Sequence, residues 1–362
     1  MPTKKQHYVP QLILRRFANQ VKQEWRTNLY DISRDQYRLN QNIKDVCAEN
    51  YTYDKDNTFE HFLDEHIETP AGVELDTILK SPSGTCIIPS AVMLRFLIVQ
   101  LARTRQAYED GMEFFNQFMG TVFETFAQLN DHDAEAANRI RVSPGEPRAL
   151  LAYMAANAAA NYGLLSDLRV AIVKNDTSQP FILSDHPVFQ HNWYLRDCNE
   201  PLSAAITVCG LQFFLPLSPS IIYCLYDPKV YVYRSGSREV VVRASVEDVN
   251  LLNSFQAISA DSFLVTPADN MRATLTELGK RFAEVEAFTS KGESTPPVEI
   301  GDGKLKSSHY AWRQQVRLCR MPSFVKVKNR VRRRSLVCVH RSPDIVLAHK
   351  LADAHRNRES AD

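Results

Sequence analysis

Apolar residues recur at two different spacings along the chain, and these spacings divide it into three parts. Residues 25–32 and 51–53 are rich in aromatic and β-branched residues with Asn and Asp close by, which predicts strands and turns. Apolar positions three and four apart then predict helices over 58–80, 91–107, 114–129 and 147–162. From residue 168 onward, short apolar runs separated by Pro, Asp, Ser and Gly predict strands again, with one helix over 246–257.

This order of elements predicts an α+β fold, in which a helical segment is inserted between strand-rich parts that form a mixed or antiparallel sheet. Residues 1–288 are predicted to form one domain of this kind. Residues 289–308 are polar and contain Pro and Gly, so they are predicted to link the domain to a C-terminal segment over 309–362.

The segment over residues 7–17 mixes apolar side chains with His7, Gln11 and Arg15, which are able to carry chemistry. Because Pro10 fixes its own φ and disfavours helix at the residue before it, an extended stretch followed by a short helix is predicted. Gln11 and Arg15 then share a helix face. Two interpretations stay open: the segment docks on the body with Arg15 in a buried ion pair, or it delivers its polar residues to a site.

The composition is that of a soluble globular protein, with 44% hydrophobic and 23% charged residues. No segment has the run of about eighteen apolar residues that spans a bilayer, and the first residues lack the apolar stretch of a signal peptide. A cytoplasmic protein without a membrane partner is therefore expected. The seven cysteines are widely spaced and contain no Cys-x-x-Cys pair, which argues against a disulfide framework or a zinc ribbon.

The net charge of +1 conceals an uneven distribution. Between residues 304 and 350, thirteen Lys and Arg stand against a single acid, Asp344, so the rest of the chain is acidic. The run over 326–334 is able to bind a phosphate backbone through charge alone, but it lacks the interleaved aromatic residues of a stacking surface. We therefore consider both a nucleic-acid contact and a peripheral tail.

Three acids of the predicted 58–80 helix, Glu60, Asp64 and Glu68, are four residues apart and would share one face. Carboxylates in line are typical ligands of Mg²⁺ or Mn²⁺. His61 and His66 are five apart, which does not match the His-Glu-x-x-His spacing of zinc proteases. The alternative is a solvated acidic stripe opposite the apolar face of the helix.

A buried apolar run ends in Ser184, Asp185, His186 and Pro187. Polar residues in this position often carry function, so Asp185 is a candidate metal ligand or orienting group, and His186 is a candidate base or ligand. The alternative is a strand-to-turn transition in which Ser184 and Asp185 bind turn backbone and Pro187 ends the strand.

Arg103 lies near the end of the predicted 91–107 helix, where it is a candidate to clamp phosphate or to pair with an acid. A cation near a helix C-terminus is also favoured by the helix dipole alone. The sequence contains no Gly-rich phosphate loop, no Gly-x-Ser-x-Gly elbow and no Cys/His nucleophile pattern.

The sequence His-Tyr-Val-Pro-Gln over residues 7–11, followed by Leu-Arg-Arg-Phe over 14–17, resembles the bacterial domain of unknown function 4238 family. The acidic helix with Glu60 and Glu68, residues 100–105 and residues 184–187 fit the same family, so the resemblance covers roughly residues 4–270. Family members commonly have Asn at the position of His186, which moves the expected catalytic role to Asp185. The resemblance implies a prokaryotic, cytoplasmic protein and no established activity.

Together these patterns predict a metal-dependent, nuclease-like hydrolase acting on nucleic acid or nucleotide phosphates, in which a divalent ion polarises phosphate and activates water. The predicted catalytic residues are His7, Arg103 and Asp185, the predicted ligands of Mg²⁺ or Mn²⁺ are Glu60, Glu68 and Asp185, and the further site residues are Gln11, Arg15, Ser184 and His186. The alternative is a non-catalytic defence or regulatory module that holds nucleic acid through the basic C-terminal segment. A third interpretation makes the polar residues a buried structural network.

Overall fold

The fold is seen in a computed structural model, which describes residues 5–130, 132–143, 147–197, 205–233, 240–282, 288–295, 298–299, 305–306, 308–315, 320–332 and 340–341. The first strand-rich part contains β1 (Lys5–His7), α1 (Gln11–Leu14), β2 (Asn19–Val21), β3 (Glu24–Asp31), β4 (Gln36–Asn42) and β5 (Ala48–Asn50). The helical part contains α2 (Thr58–Leu63), α3 (Thr69–Lys80), α4 (Ala91–Ala102), α5 (Arg105–Leu129), α6 (Ala134–Asn138) and α7 (Pro147–Ala160).

Strands dominate again after the helical part. This region contains β6 (Arg169–Asn175), β7 (Leu183–Ser184), β8 (Phe189–His191), β9 (Gln212–Ser218), β10 (Ile221–Tyr226), β11 (Tyr231–Tyr233), β12 (Val241–Ala244), α8 (Val246–Ser259), β13 (Phe263–Thr266) and α9 (Arg272–Phe282). The C-terminal region contains β14 (Phe288–Ser294), β15 (Val298–Glu299), β16 (Leu305–Lys306), β17 (His309–Gln315), β18 (Val325–Val327) and α10 (Asn329–Arg332).

Two five-stranded sheets organise the body. One has the order β12-β6-β10-β9-β8 and is antiparallel except that β12 runs parallel to β6. The other joins β2, β3 and β4 to β13 and β7, so strands from both sides of the helical insertion share one sheet. The predicted α+β fold, with a helical segment between strand-rich parts, is confirmed. Among the described residues, no helix is both long and apolar enough to cross a membrane.

The N-terminal segment docks on this body as one of its two interpretations predicts. A short pairing of β1 with β5 places His7 opposite Ala48. Beyond Pro10, the side chains of Ile13, Leu14 and Phe17 are fully buried in the main core. The segment is therefore an internal part of the fold, and its polar residues are fixed in position by apolar packing.

The single helix predicted over 91–107 is wrong, because the chain breaks at residues 103–104. Helix α4 ends before Arg103, and Thr104 caps α5 by accepting a hydrogen bond from the N–H of Ala107 at 3.2 Å. Thr is a favourable N-cap residue, and its side chain accepts a hydrogen bond from a backbone N–H group that the break leaves without a helical partner. The strand predicted over 51–53 is also wrong, since β5 ends at residue 50 and the chain turns there.

The acidic helix is not a regular α-helix throughout. A π-helical turn over Asp64–Glu68 separates α2 from α3 and changes which side chains share a face. Glu60 and Glu68 are half-buried, whereas Asp64 is exposed. The prediction that the three acids lie on one face is therefore wrong, because the wider turn rotates the second half of the helix relative to the first.

The predicted linker and the basic C-terminal segment are described in part. Within the predicted linker, β15 pairs with β16, and β14 pairs with β17, which lies just beyond the linker. Further on, β18 pairs with β11, and the neighbouring side chains of Phe324 and Val325 are buried against the body. Buried Arg341 contacts the carboxylate of Asp167 at 3.2 Å. These described parts belong to the folded structure, while the domain boundary itself stays a prediction.

Candidate functional site

Backbone hydrogen bonds fix the segment that carries His7. The carbonyl oxygen of His7 accepts from the hydroxyl of Tyr53 at 3.3 Å, and the carbonyl oxygen of Tyr8 accepts from Nε2 of Gln100 at 2.9 Å. The backbone N–H of His7 donates to the carboxylate of Glu60. The segment is thus tied to α2, which carries Glu60, and to α4, which carries Gln100 and is followed directly by Arg103.

The His7 ring is buried, with Nε2 at 3.2 Å from the carbonyl oxygen of Ile43. Burial lowers the pKa of His7 below its ordinary value, more strongly than the nearby charge of Glu68 raises it. The neutral imidazole is therefore the favoured form at neutral pH, and Nε2 donates to Ile43 when it carries the ring proton.

Arg103 lies at the centre of the cluster, with only 1% of its side chain exposed. Its Nη1 is 2.7 Å from Oε1 of Glu68, and its Nε donates to Oε1 of Gln100 at 2.9 Å. The remaining terminal nitrogen, Nη2, has no hydrogen-bond partner among the described residues. A buried cation needs a carboxylate partner, which Glu68 supplies, and Nη2 keeps one unused donor group.

Glu60 lies next to this ion pair. Burial raises the pKa of Glu60 to about 7, and the negative charge of Glu68 adds to the effect, while Arg103 and the N–H of His7 act in the opposite direction. At neutral pH the carboxyl group is therefore present in both protonation states. A half-buried group of this kind is able to accept a proton in one step and donate it in another.

Asp185 is in a different environment. Its carboxylate accepts backbone N–H groups from Asp261 at 2.9 Å, from Ser262 at 2.7 Å and from Phe263 at 3.1 Å. Burial raises the pKa of Asp185 to about 7, assisted by the charge of Asp261 and opposed by the N–H donors. The carboxylate therefore holds the backbone between α8 and β13, next to Tyr8 and Cys47.

The neighbours of Asp185 are engaged in structural contacts too. The Oγ of Ser184 donates to Oε1 of Gln256 at 3.0 Å, and the backbone N–H of Ser184 donates to the same oxygen at 2.9 Å. Nδ1 of His186 is hydrogen-bonded to the hydroxyl of Thr104, the N-cap of α5. The strand-to-turn alternative therefore describes Asp185, which binds turn backbone, whereas Ser184 and His186 bind side chains of Gln256 and Thr104.

Two further predicted site residues lie on the surface of α1. Gln11 is half-buried, and Arg15 is exposed. The buried ion pair expected for Arg15 is wrong, and it is the next residue, Arg16, that pairs with Asp76 at 2.5 Å. Both arginines lie in the 3₁₀ turn that follows α1, where a shift of one position turns a side chain by roughly a third of a turn and decides which arginine faces α3.

The predicted metal ligands do not fit a shared ion. Glu68 is paired with Arg103, and the oxygens of Asp185 accept backbone N–H groups. In the part of the chain that the structure describes, no group of three or more His, Cys, Asp or Glu side chains is arranged to hold a metal. The structure thus brings together His7, Glu60, Glu68 and Arg103, and a role for Mg²⁺ or Mn²⁺ stays an untested prediction.

Sequence reasoning overlooked Gln100 and Tyr53, which position the cluster. Gln100 is 1% exposed within an otherwise apolar helix. A polar side chain on the core face of such a helix needs hydrogen-bond partners, so its isolation among apolar residues was the available signal. Tyr53 gave no comparable signal, because a buried tyrosine next to a turn is common.

The family model of a protein of unknown function, DUF4238, matches residues 5–269, and the chain belongs to this family. No curated protein and no solved structure matches the chain. The matched residues include every member of the His7, Glu60, Glu68 and Arg103 cluster, so the cluster lies within the family domain.

Proposed function

We propose that this DUF4238 protein is a hydrolase in which Glu60 transfers the proton of the reaction. The observation that carries the proposal is a half-buried carboxyl group with a pKa of about 7 beside a buried Glu68–Arg103 ion pair. General acid–base catalysis is most effective when the pKa of the catalytic group is close to the working pH. Two neighbouring carboxyl groups with different environments also support a division into proton-transfer and charge-holding roles.

In this proposal, ionised Glu60 accepts a proton from the attacking water, and the protonated form then donates it to the leaving group. Arg103 pairs with Glu68 and holds its positive charge close to Glu60, where it stabilises the negative charge that develops on the substrate. His7 acts through its backbone N–H, which favours the ionised form of Glu60. Gln100 and Tyr53 position the segment and contact no substrate.

Phosphate esters of nucleic acids or nucleotides are the substrate class to test first, since the sequence predicts it. The purified protein is assayed with bis(p-nitrophenyl) phosphate, a nucleotide mixture and labelled single- and double-stranded DNA and RNA, each with Mg²⁺, with Mn²⁺ and with EDTA. We compare the wild type with Glu60→Gln, which keeps the shape of the side chain and removes its titration. Glu65→Gln, at an exposed position one turn further along the same helix, is the matched control.

The proposal expects hydrolysis by the wild type and by Glu65→Gln, and a loss of at least about 100-fold for Glu60→Gln. Loss of activity in EDTA would support the metal-dependent form of the reaction, and activity in EDTA would exclude it. Equal hydrolysis by Glu60→Gln and the wild type would contradict the proposal. Binding of a substrate without its hydrolysis would favour the alternative function, a non-catalytic binding module.

A second candidate function, nucleic-acid binding without catalysis, is favoured by the docked start of the basic segment. Lys326 lies in β18, which pairs with β11, and Arg330 lies in α10 directly after it; both side chains are exposed. Truncation near residue 303 would remove the buried Phe324, so charge reversal is the cleaner test. Lys326→Glu with Arg330→Glu should weaken binding of labelled DNA and reduce its salt dependence, whereas an unchanged affinity would count against this function.

A further inference from the structure

A pocket lies on the side of the N-terminal segment that carries Tyr8. It encloses about 170 Å³ and is lined by three tyrosines, Tyr8, Tyr51 and Tyr108, together with Glu49 and Arg105. One wall is the end of β5 and the turn after it, and the opposite wall is the first turn of α5. None of these residues belongs to the Glu60 cluster, so the pocket is a separate feature of the fold.

The pocket is lined by one acid, Glu49, and one base, Arg105, and two further carboxylates, those of Glu109 and Asp261, lie around the arginine. Nε of Arg105 is 3.0 Å from the carboxylate of Glu109 and 3.7 Å from that of Asp261, and Nη1 is 3.9 Å from that of Glu49. One cation is therefore shared by three carboxylates. Two of the three contacts are longer than a hydrogen bond, so Arg105 leaves these acids incompletely compensated.

Tyr8 lines the pocket, and its hydroxyl group interacts with several nearby acidic groups. Tyr8 is buried, and burial is the first cause that raises its pKa. The charges of Asp185, Glu49 and Asp261 raise the pKa further, because each disfavours the phenolate. An anionic ligand would meet the same repulsion, whereas a cation would be attracted.

We propose that this pocket binds an organic cation, an ammonium or guanidinium group carried by a small molecule. Aromatic rings attract such cations through their π-faces, and the uncompensated carboxylates supply the complementary charge. A volume of about 170 Å³ accommodates a substituted ammonium head group but is small for a nucleotide, since pockets for drug-sized ligands begin at roughly 300 Å³. The proposal is independent of hydrolysis at Glu60.

Choline is a suitable probe, because its neutral isostere 3,3-dimethylbutan-1-ol has the same shape without the charge. Titration of the full-length protein with each compound, followed by calorimetry and by NMR of ring protons, measures both affinities. Glu49→Gln removes one carboxylate and Tyr108→Ala removes one ring. Glu113→Gln, at an exposed position one turn beyond Glu109 on α5, is the matched control.

Choline is expected to bind more tightly than its neutral isostere by about threefold or more, and both pocket variants are expected to lose at least about that factor. Glu113→Gln should bind choline like the wild type. Equal affinity for choline and the neutral isostere, or choline binding unaffected by both pocket variants, would overturn the proposal. Binding of citrate in place of choline, lost in Arg105→Gln, would overturn it as well, because it would identify an anion site.

Discussion

Glu60 and Asp185 are two carboxyl groups with the same raised pKa, about 7, and the same leading cause, which is burial. Their hydrogen bonds differ. Asp185 is 2% exposed and accepts three backbone N–H groups, whereas Glu60 is half-buried and accepts one from His7. Asp185 is therefore fastened to the backbone, and Glu60 is able to meet solvent and substrate.

A raised pKa therefore does not by itself identify a proton-transfer group. Perturbed pKa values also arise in buried structural networks. A group that exchanges protons with a substrate has to be reachable and must not be required to hold the backbone. By this criterion Glu60 is the candidate for chemistry, and Asp185 is a structural residue of the α8–β13 connection.

The different roles of Asp185 and Glu60 are expected to appear most strongly in the free energy of unfolding. Asp185→Ala removes the buried carboxylate that accepts three part-buried N–H groups, so it should lower the free energy of unfolding by about 3 kcal/mol. Glu60→Ala removes one acceptor at a half-buried position and should lower it by about 1 kcal/mol or less. Urea unfolding monitored by circular dichroism measures both values.

Similar losses of unfolding free energy in the two alanine variants would contradict this distinction, because Glu60 would then stabilise the fold as much as Asp185 does. Asp185→Asn serves as a milder control. It keeps one carbonyl oxygen as an acceptor, so its loss of stability should lie between those of the two alanine variants.

An intermediate effect is expected on the pKa values themselves. Glu68→Gln removes the negative charge that raises the pKa of Glu60 and leaves Arg103 without its carboxylate partner. Both changes favour ionised Glu60, so its pKa should fall from about 7 by about one unit or more. The pKa of Asp185, whose charged neighbour is Asp261, should not change.

Carboxyl-carbon NMR of the labelled protein follows both titrations in one experiment. Asp261→Asn is the reciprocal variant, which should lower the pKa of Asp185 and leave that of Glu60 in place. A variant that moves both pKa values together would show that the two groups are electrostatically coupled, contrary to the comparison.

The fold was largely predictable from the sequence, because long periodic runs depend on local spacing. The helix over 58–80, the strand near 25–32 and the Ala-rich helix from residue 147 all occur. The break at Arg103 and the π-helical turn at Asp64–Glu68 were not predicted, since both depend on tertiary contacts. The helix α4 ends at the residue before Arg103, whose side chain binds Glu68 and Gln100. The spacing of apolar residues in the sequence does not predict these contacts.

The site was predictable only as a set of residue types. His7, Glu60, Glu68 and Arg103 were selected because polar groups stood among apolar ones, and the fold brings these four together. Asp185 was selected by the same reasoning, yet its oxygens are used by the backbone of residues 261–263. A sequence shows which side chains are able to do chemistry, but it does not show which hydrogen bonds already occupy them.

The smallest expected effect is the pH dependence of stability. The pKa of Glu60 is raised from 4.5 in the unfolded chain to about 7 in the folded protein. Its contribution to stability is therefore fully present below pH 4.5 and is lost as the pH rises through 7. The pKa of Asp185 is raised from its ordinary value of 3.8 to about 7. Its contribution to stability is therefore also lost as the pH rises over this range.

Glu60→Gln should remove the first contribution and keep the second. Measured by urea unfolding at pH 5 and pH 7.5, the stability of the wild type should fall relative to that of Glu60→Gln by on the order of 1 kcal/mol. Asp185→Asn should be less stable than the wild type at both pH values, because it loses hydrogen-bond acceptors at any pH. A pH-independent difference between the wild type and Glu60→Gln would mean that Glu60 titrates at its ordinary value, and the acid–base role proposed for it would then lack its physical basis.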